Sequence, residues 1–179
     1  IKAIRERGCD MKFTQQSQGQ LVDWISRRFA AAGKSVDFEA VQRLIFISGD
    51  LMNKLIPEIE KVAAYAKGDR VTVNDVEAVA HHIPEAVIFS LSDQIAHRSY
   101  EKAAATLAEL LSDKNNEPIA LLALLGAQMR KLYAARLALE EGLGLKYVMD
   151  TCSIKYEFLA KNLVKKICGG RQSREIYSQ

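Results

Sequence analysis

The chain has 179 residues, 49% hydrophobic and 26% charged, with a net charge of +3; that balance suits a globular protein with a real core and excludes a disordered segment. So mild a charge permits contact with a phosphate backbone but argues against a dedicated nucleic-acid domain, which gathers many positive groups on one face. Cys9, Cys152 and Cys168 are far apart and never form a CxxC pair, which excludes a disulfide framework or zinc knuckle and fits a reduced cytoplasm, while the longest apolar stretch, "IALLALLGAQM", is too short to span a membrane.

In chain order, "IKAIRERGCDMKFT" reads as the end of a basic helix stopped at Gly8, then a short extended piece over 8–14. The chain opens with Ile1, which suggests a fragment of a longer protein. "QLVDWISRRFAAAG" places Leu21, Trp24, Ile25, Arg28 and Ala32 at helical spacing, with Gly33 as the stop. "DFEAVQRLIFISG" sets Ala40, Val41, Leu44, Ile45 and Ile47 on one face behind an Asp37 N-cap and ends at Gly49. In the next helix, 50–66, Asp50 is the expected cap and Leu51, Leu55, Ile59, Val62 and Ala66 form a stripe widened by Met52, Ile56 and Ala63. Pro57 breaks the pattern: it lacks an N–H, and its ring meets the carbonyl four residues back, so a kink near Asn53 or a restart at 57 is expected. Lys54, Glu58 and Lys61 make a solvated row opposite the stripe.

Thr72 and Asp75 open a short helix lined by Val76, Val79, Ala80 and Ile83, which should stop at Pro84. The pattern changes there, making it the best boundary. Beyond it come "EAVIFSLSDQIA", a helix behind a Ser99 cap, the polar turn "SDKNNE", and a long helix from about 119 to 141 opened by Pro118. The first half of that helix is apolar almost all round, which predicts a place in the middle of a bundle. Its residues Leu121, Leu122, Leu124, Leu125, Met129, Leu132 and Tyr133 wrap more than one face, and uncovered apolar surface marks an interface. Gly142 and Gly144 end the helix. "LKYVMDTC" and "IKYEFLAKNLVKKI" supply two more, the last with Phe158, Leu159, Leu163 and Ile167 inward and Lys161, Lys165 and Lys166 outward. The fold class is all-α.

Residues that carry chemistry are scarce. "GKS" at 33–35 fails as a phosphate loop, because Arg28 stands where a glycine is required and a helix, not a strand, precedes it. His81 and His82 are adjacent, so on a helix they diverge and cannot share a metal alone. His97 and Asp93 read as a surface pair, and Cys152 and Cys168 as small apolar groups. Trp24 is expected in the core. The lysines from 155 to 166 read as a solvated face. No catalytic, cofactor-binding or metal-binding residue is assigned.

"QLVDWISRRFAAAGKSVDFEAVQRLIFISGDLMNKLIPEIEKVAAYA", "VTVNDVEAVA" and "EAVIFSLSDQIAHRSYEKAAATLAELLSDKNNEPIALLALLGAQMRKLYAAR", taken in order, resemble the delta subunit of the bacterial DNA polymerase III clamp loader, over roughly 9–167. No single piece is a fingerprint; order and spacing together are specific. The resemblance implies the tail of a largely absent AAA+-like first domain at 1–9, a small helical lid domain at 10–83 and a collar domain at 85–179 that is C-terminally incomplete. It implies a non-catalytic, cytoplasmic part of the polymerase III holoenzyme that hydrolyses no ATP. Its collar would pack with other clamp-loader subunits, the sliding clamp would be met only through the absent first domain, and primer-template DNA would be met in the full complex; no membrane is involved. Pro57 and "ICGGRQ" at 167–172 depart from the family's helical pattern. The alternatives from other classes are a helical DNA-binding or regulatory module, which would need an Arg- or Asn-rich recognition helix, and a small all-α enzyme, for which no acid, base and nucleophile converge.

Overall fold

The computed structural model describes residue 8 and residues 16–168. The readings for 1–14, Gly8 excepted, and for the segment after 168 lie outside the described residues. What is described is helical, as expected, with one small addition. The helices are α1 (Gln18–Ala31), α2 (Phe38–Ser48), α3 (Met52–Tyr65), α4 (Val73–Val79), α5 (Pro84–Ala96), α6 (Tyr100–Ser112), α7 (Pro118–Glu140), α8 (Leu145–Thr151) and α9 (Glu157–Cys168). The addition is a parallel pair of two-residue strands, β1 (Ser35–Val36) and β2 (Arg70–Val71).

α1 starts in a capping box: the Ser17 hydroxyl accepts from the Gln20 N–H, and the Gln20 side chain accepts from the Ser17 N–H at 2.9 Å. Its core face is Leu21, Ile25 and Phe29, so the expected stripe was rotated: Trp24 is half-buried at the core margin with the Arg28 guanidinium 5.2 Å from its ring, and Ala32 is exposed. α2 buries Ala40, Val41, Leu44, Ile45 and Ile47 as expected and ends at Gly49, whose φ of 84° is cheap only for glycine. Asp37 holds the N-cap position without a side-chain capping bond; its carboxylate pairs instead with Arg70 across the strands.

α3 corrects two expectations. Asp50 does not cap it; the cap position is Leu51, which is exposed, and Asp50 is engaged elsewhere in the molecule. Nor does the helix restart at Pro57, which lies inside one continuous α-helix. Starting late puts Pro57 only in the second turn, and both it and Asn53, whose carbonyl loses its partner, are exposed, so water can satisfy that carbonyl. Pro57→Ala should therefore shift the unfolding free energy by less than about 1 kcal/mol, a small change that urea titration followed by circular dichroism would resolve. Leu55, Ile59, Val62 and Ala63 are buried, and Lys61 pairs with Glu58 at 2.7 Å.

α4 ends at Val79, four residues before the expected stop, because 80–83 runs extended into Pro84, the first residue of α5. Thr72 opens α4 as expected, giving both its N–H (2.8 Å) and its hydroxyl (2.7 Å) to Asp75. Three apolar clusters result. The first gathers α1 to α4 with the buried Tyr156 and Phe158 of the chain's far end. The second joins α7, α8 and α9 through Ala135, Ala138, Val148, Cys152, Leu163 and Val164. The third joins α5, α6 and the start of α7 through Ile88, Leu91, Ala103, Leu110 and Leu121.

A candidate partner-binding surface

α7 is the longest described helix, and it does not sit in the middle of a bundle. Of the expected interface residues, Leu121 is buried at 4% exposure and Leu124, Leu125 and Leu132 are half-buried against the second and third clusters. Leu122, Met129 and Tyr133 face solvent, Leu122 at 70% and Tyr133 at 71%. The structure thus splits the set into an inward and an outward group. Ile119, at 83%, and Leu137 join the outward group and were not among the expected residues. Ile119, Leu122, Gly126, Met129, Tyr133 and Leu137 follow one another at steps of three and four, so one side of the helix carries a continuous apolar ridge from end to end. That spacing was readable in the sequence, but it was hidden because the inward face of the same helix is equally apolar. Tyr100, Leu107 and Leu111 of α6 are further exposed apolar side chains.

Isolated apolar side chains on a surface mean little, yet an aligned row on one helix is a partner-sized feature. Gly126 makes a dip in the middle of it: a Cβ there would meet only the tip of the Arg130 side chain, at 3.3 Å. Charges flank the ridge, with Arg136 donating to Glu140 at 2.7 Å.

The residues weighed for chemistry turn out to hold the fold together. Gly33 has a φ of 74° and ends the turn after α1, the Lys34 ammonium donates to the carbonyls of Ala66 (2.9 Å) and Gly68 (2.7 Å), and the Ser35 hydroxyl donates to that of Asp69 (3.1 Å). "GKS" thus stitches β1 to the end of α3, where a cation suits the helix C-terminus. Lys34→Ala should lower the stability by about 1–2 kcal/mol, read from the urea midpoint, with no nucleotide binding by either form in fluorescence titration. His81 and His82 lie in the extended 80–83 segment, not on a helix; the His81 carbonyl accepts from the buried Ser48 hydroxyl at 2.9 Å, and His82 lies 3.7 Å from Glu77. His97 follows α5, its Nδ1 2.9 Å from the Asp93 carbonyl oxygen. Cys152 is buried as expected, which pushes its thiol pKa up. Lys161 and Lys165 face outward, and Lys161 pairs with Glu157; the side chains of Lys166 and Cys168 lie outside the described set. Among the described residues no group of three or more His, Cys, Asp or Glu is placed to hold a metal, and no helix is long and apolar enough to cross a membrane.

Residues 85–172 match the family "DNA polymerase III delta subunit, C-terminal domain". The probable DNA polymerase III subunit delta of Aquifex aeolicus is 27% identical over 161 residues, covering 89% of this chain and 46% of that protein. The DNA polymerase III subunit delta of Bacillus subtilis is 24% identical over 155 residues, covering 86% of this chain and 44% of that protein. This chain therefore spans about half the length of the curated relatives it matches. The solved structure of the Bacillus subtilis DNA clamp loader delta protein shares the fold over 99% of this chain and 52% of its own, with a TM-score of 0.62 at 21% identity.

Proposed function

We propose that this chain, whose residues 85–172 match the C-terminal domain of the DNA polymerase III delta family, acts as a non-catalytic clamp-loader component that binds other loader subunits through the outward ridge of α7. The observation that carries the reading is the ridge itself: an apolar row on the longest helix of the matched segment, with Ile119, Leu122 and Tyr133 largely exposed. Leaving such a row in water forgoes the transfer free energy of several large side chains. A helix laid alongside recovers it, since steps of three and four are the seam along which two helices pack. In this reading residues 10–83 form the lid and residues 85–179 the collar, with assembly resting mainly on the collar. Contacts with the sliding clamp belong to a first domain outside this chain, and primer-template DNA is met only in the whole complex.

The DNA-binding module is the weaker reading. The exposed side of α3 sets Glu60 among Lys54 and Lys61, while the half-buried Glu58 carboxylate accepts from the His81 N–H, and so mixed a face does not suit a groove lined by phosphates.

The test mixes the chain with the clamp-loader ATPase subunits of its own organism and, separately, with the sliding clamp, each followed by gel filtration. Co-elution with the loader subunits and not with the clamp is expected; binding to the clamp alone would overturn the assignment. A finer test uses Gly126→Ala. A glycine inside a helix costs about 1 kcal/mol relative to alanine, and the new methyl meets only a movable arginine tip, so the isolated chain should gain about 0.5–1 kcal/mol. Bulk placed in the dip should at the same time weaken assembly. A variant that is both more stable and equally well bound would remove the dip from the interface.

A further inference from the structure

The change of pattern at Pro84 reads as a boundary, yet the apolar interior does not divide there. The first cluster, built on α1 to α4, takes in Ala86 of α5 and, from the far end of the chain, Tyr156 at 3% exposure and Phe158 at 6%. The two rings stack with centroids 5.9 Å apart, and the Tyr156 hydroxyl is satisfied by donating to Asp50 at 3.0 Å. Leu159 packs against the same cluster. Leu163 and Val164, on the same helix, belong instead to the second cluster, with Ala135 and Ala138 of α7 and Val148 of α8. Five residues rise about 8 Å along an α-helix, so within two turns α9 is held by both interiors. Its start is fixed as well. The Glu157 N–H, one of the donors that a first turn leaves without an intrahelical partner, donates to the Gln18 side chain at the start of α1 at 3.3 Å.

Two domains unfold separately when each has its own core and few contacts cross between them. The helices α1 to α4 do not meet that condition. Were α7, α8 and α9 to come apart, Tyr156 and Phe158 would leave with them, and the first cluster would lose two aromatic rings at once. Even one buried ring accounts for a large part of a typical domain's stability, since its transfer free energy and its packing are lost together. The converse holds too: unfolding α1–α4 would put Tyr156, Phe158 and Leu159 into water and release Phe89 of α5 from its edge-on contact with Phe46 at 5.1 Å.

We propose that α9 makes α1–α4 and α5–α9 a single cooperative folding unit, closing one interior with Tyr156 and Phe158 and the other with Leu163 and Val164, so that loosening the packing inside α7 and α8 is felt in α1–α4. A partner seated on the outward ridge of α7 then steadies α1–α4 as well; that consequence rests on the ridge reading given above, whereas the coupling itself does not.

Trp24 is the chain's single tryptophan and lies at the margin of the first cluster, so its fluorescence reports on α1–α4, while circular dichroism follows all the described helices, with the larger share from α5–α9. In urea titrations of the 179-residue chain the two signals should give one midpoint. Val148→Ala, in the second cluster and outside the first, should lower both midpoints together, by about 0.5 M or more. Phe158→Ala should lower the Trp24 midpoint by an amount comparable with that of Phe29→Ala in α1. A Trp24 midpoint that stays in place in Val148→Ala while the dichroism midpoint falls, or that resists Phe158→Ala, would overturn the proposal, as would two separate midpoints in the unaltered chain. If Phe158→Ala already shows an exposed tryptophan without urea, that supports the dependence of α1–α4 on α9, and the milder Val148→Ala still decides the coupling.

Discussion

Phe29→Ala should lower the free energy of unfolding by about 3–5 kcal/mol, a large part of the roughly 5–15 kcal/mol that a typical domain possesses. Phe29 has no exposure to solvent and belongs to the cluster that α1 shares with α2 and α3, so its loss removes a ring's transfer free energy and leaves a hole that the flanking helices cannot fill without moving. Trp24 is the contrasting position. Its side chain is larger, yet it lies half-buried at the margin of the same cluster with one side against the Arg28 guanidinium, and Trp24→Ala should cost distinctly less. Urea titrations followed at a helical circular-dichroism band give both values. Equal losses, or a larger one at Trp24, would mean that the core face of α1 is not Leu21, Ile25 and Phe29.

Leu122→Glu combined with Tyr133→Glu should leave the isolated chain's stability within about 0.5 kcal/mol of its starting value, because both side chains are mostly in water and glutamate is a good helix former. Binding to the loader subunits should weaken at least about thirtyfold, since a large side chain at the centre of an interface is worth about 2 kcal/mol or more and a carboxylate there is buried without a partner. Calorimetric titration of the ATPase subunits reads the loss. Leu121→Ala, one residue away but turned inward and buried in the third cluster, should show the reverse: about 2–5 kcal/mol off stability, and any effect on binding only through the fraction folded. A double variant that binds as before would separate the ridge from assembly.

The helices of this chain were legible because each holds the same period over several turns. Ala40, Val41, Leu44, Ile45 and Ile47, or Leu55, Ile59 and Val62, announce a buried face by spacing alone, and Pro118 at the first position of α7 marks its start. The order of the motifs also sufficed to suggest the delta family. Local signals failed where two readings compete within one turn. At the start of α3 an aspartate that looks like a cap is taken by a lysine and a tyrosine more than a hundred residues away. Pro57, which looks like a break, sits in an exposed second turn where the lost bond faces water.

β1 and β2 could not have been read at all, because two residues have no period; they exist because Lys34, Ser35 and Asp37 reach across to the end of α3 and to Arg70. α7 shows the same limit at the level of function. Its apolar residues are evident in the sequence, but which of them are covered depends on α5, α8 and α9 occupying one side and leaving Ile119, Leu122, Met129 and Tyr133 on the other. Periodicity reports which residues share a face of a helix; it carries no information on which face a neighbour arrives at. The same holds for Tyr156 and Phe158, apolar in any reading, which complete the core of helices that lie a hundred residues before them.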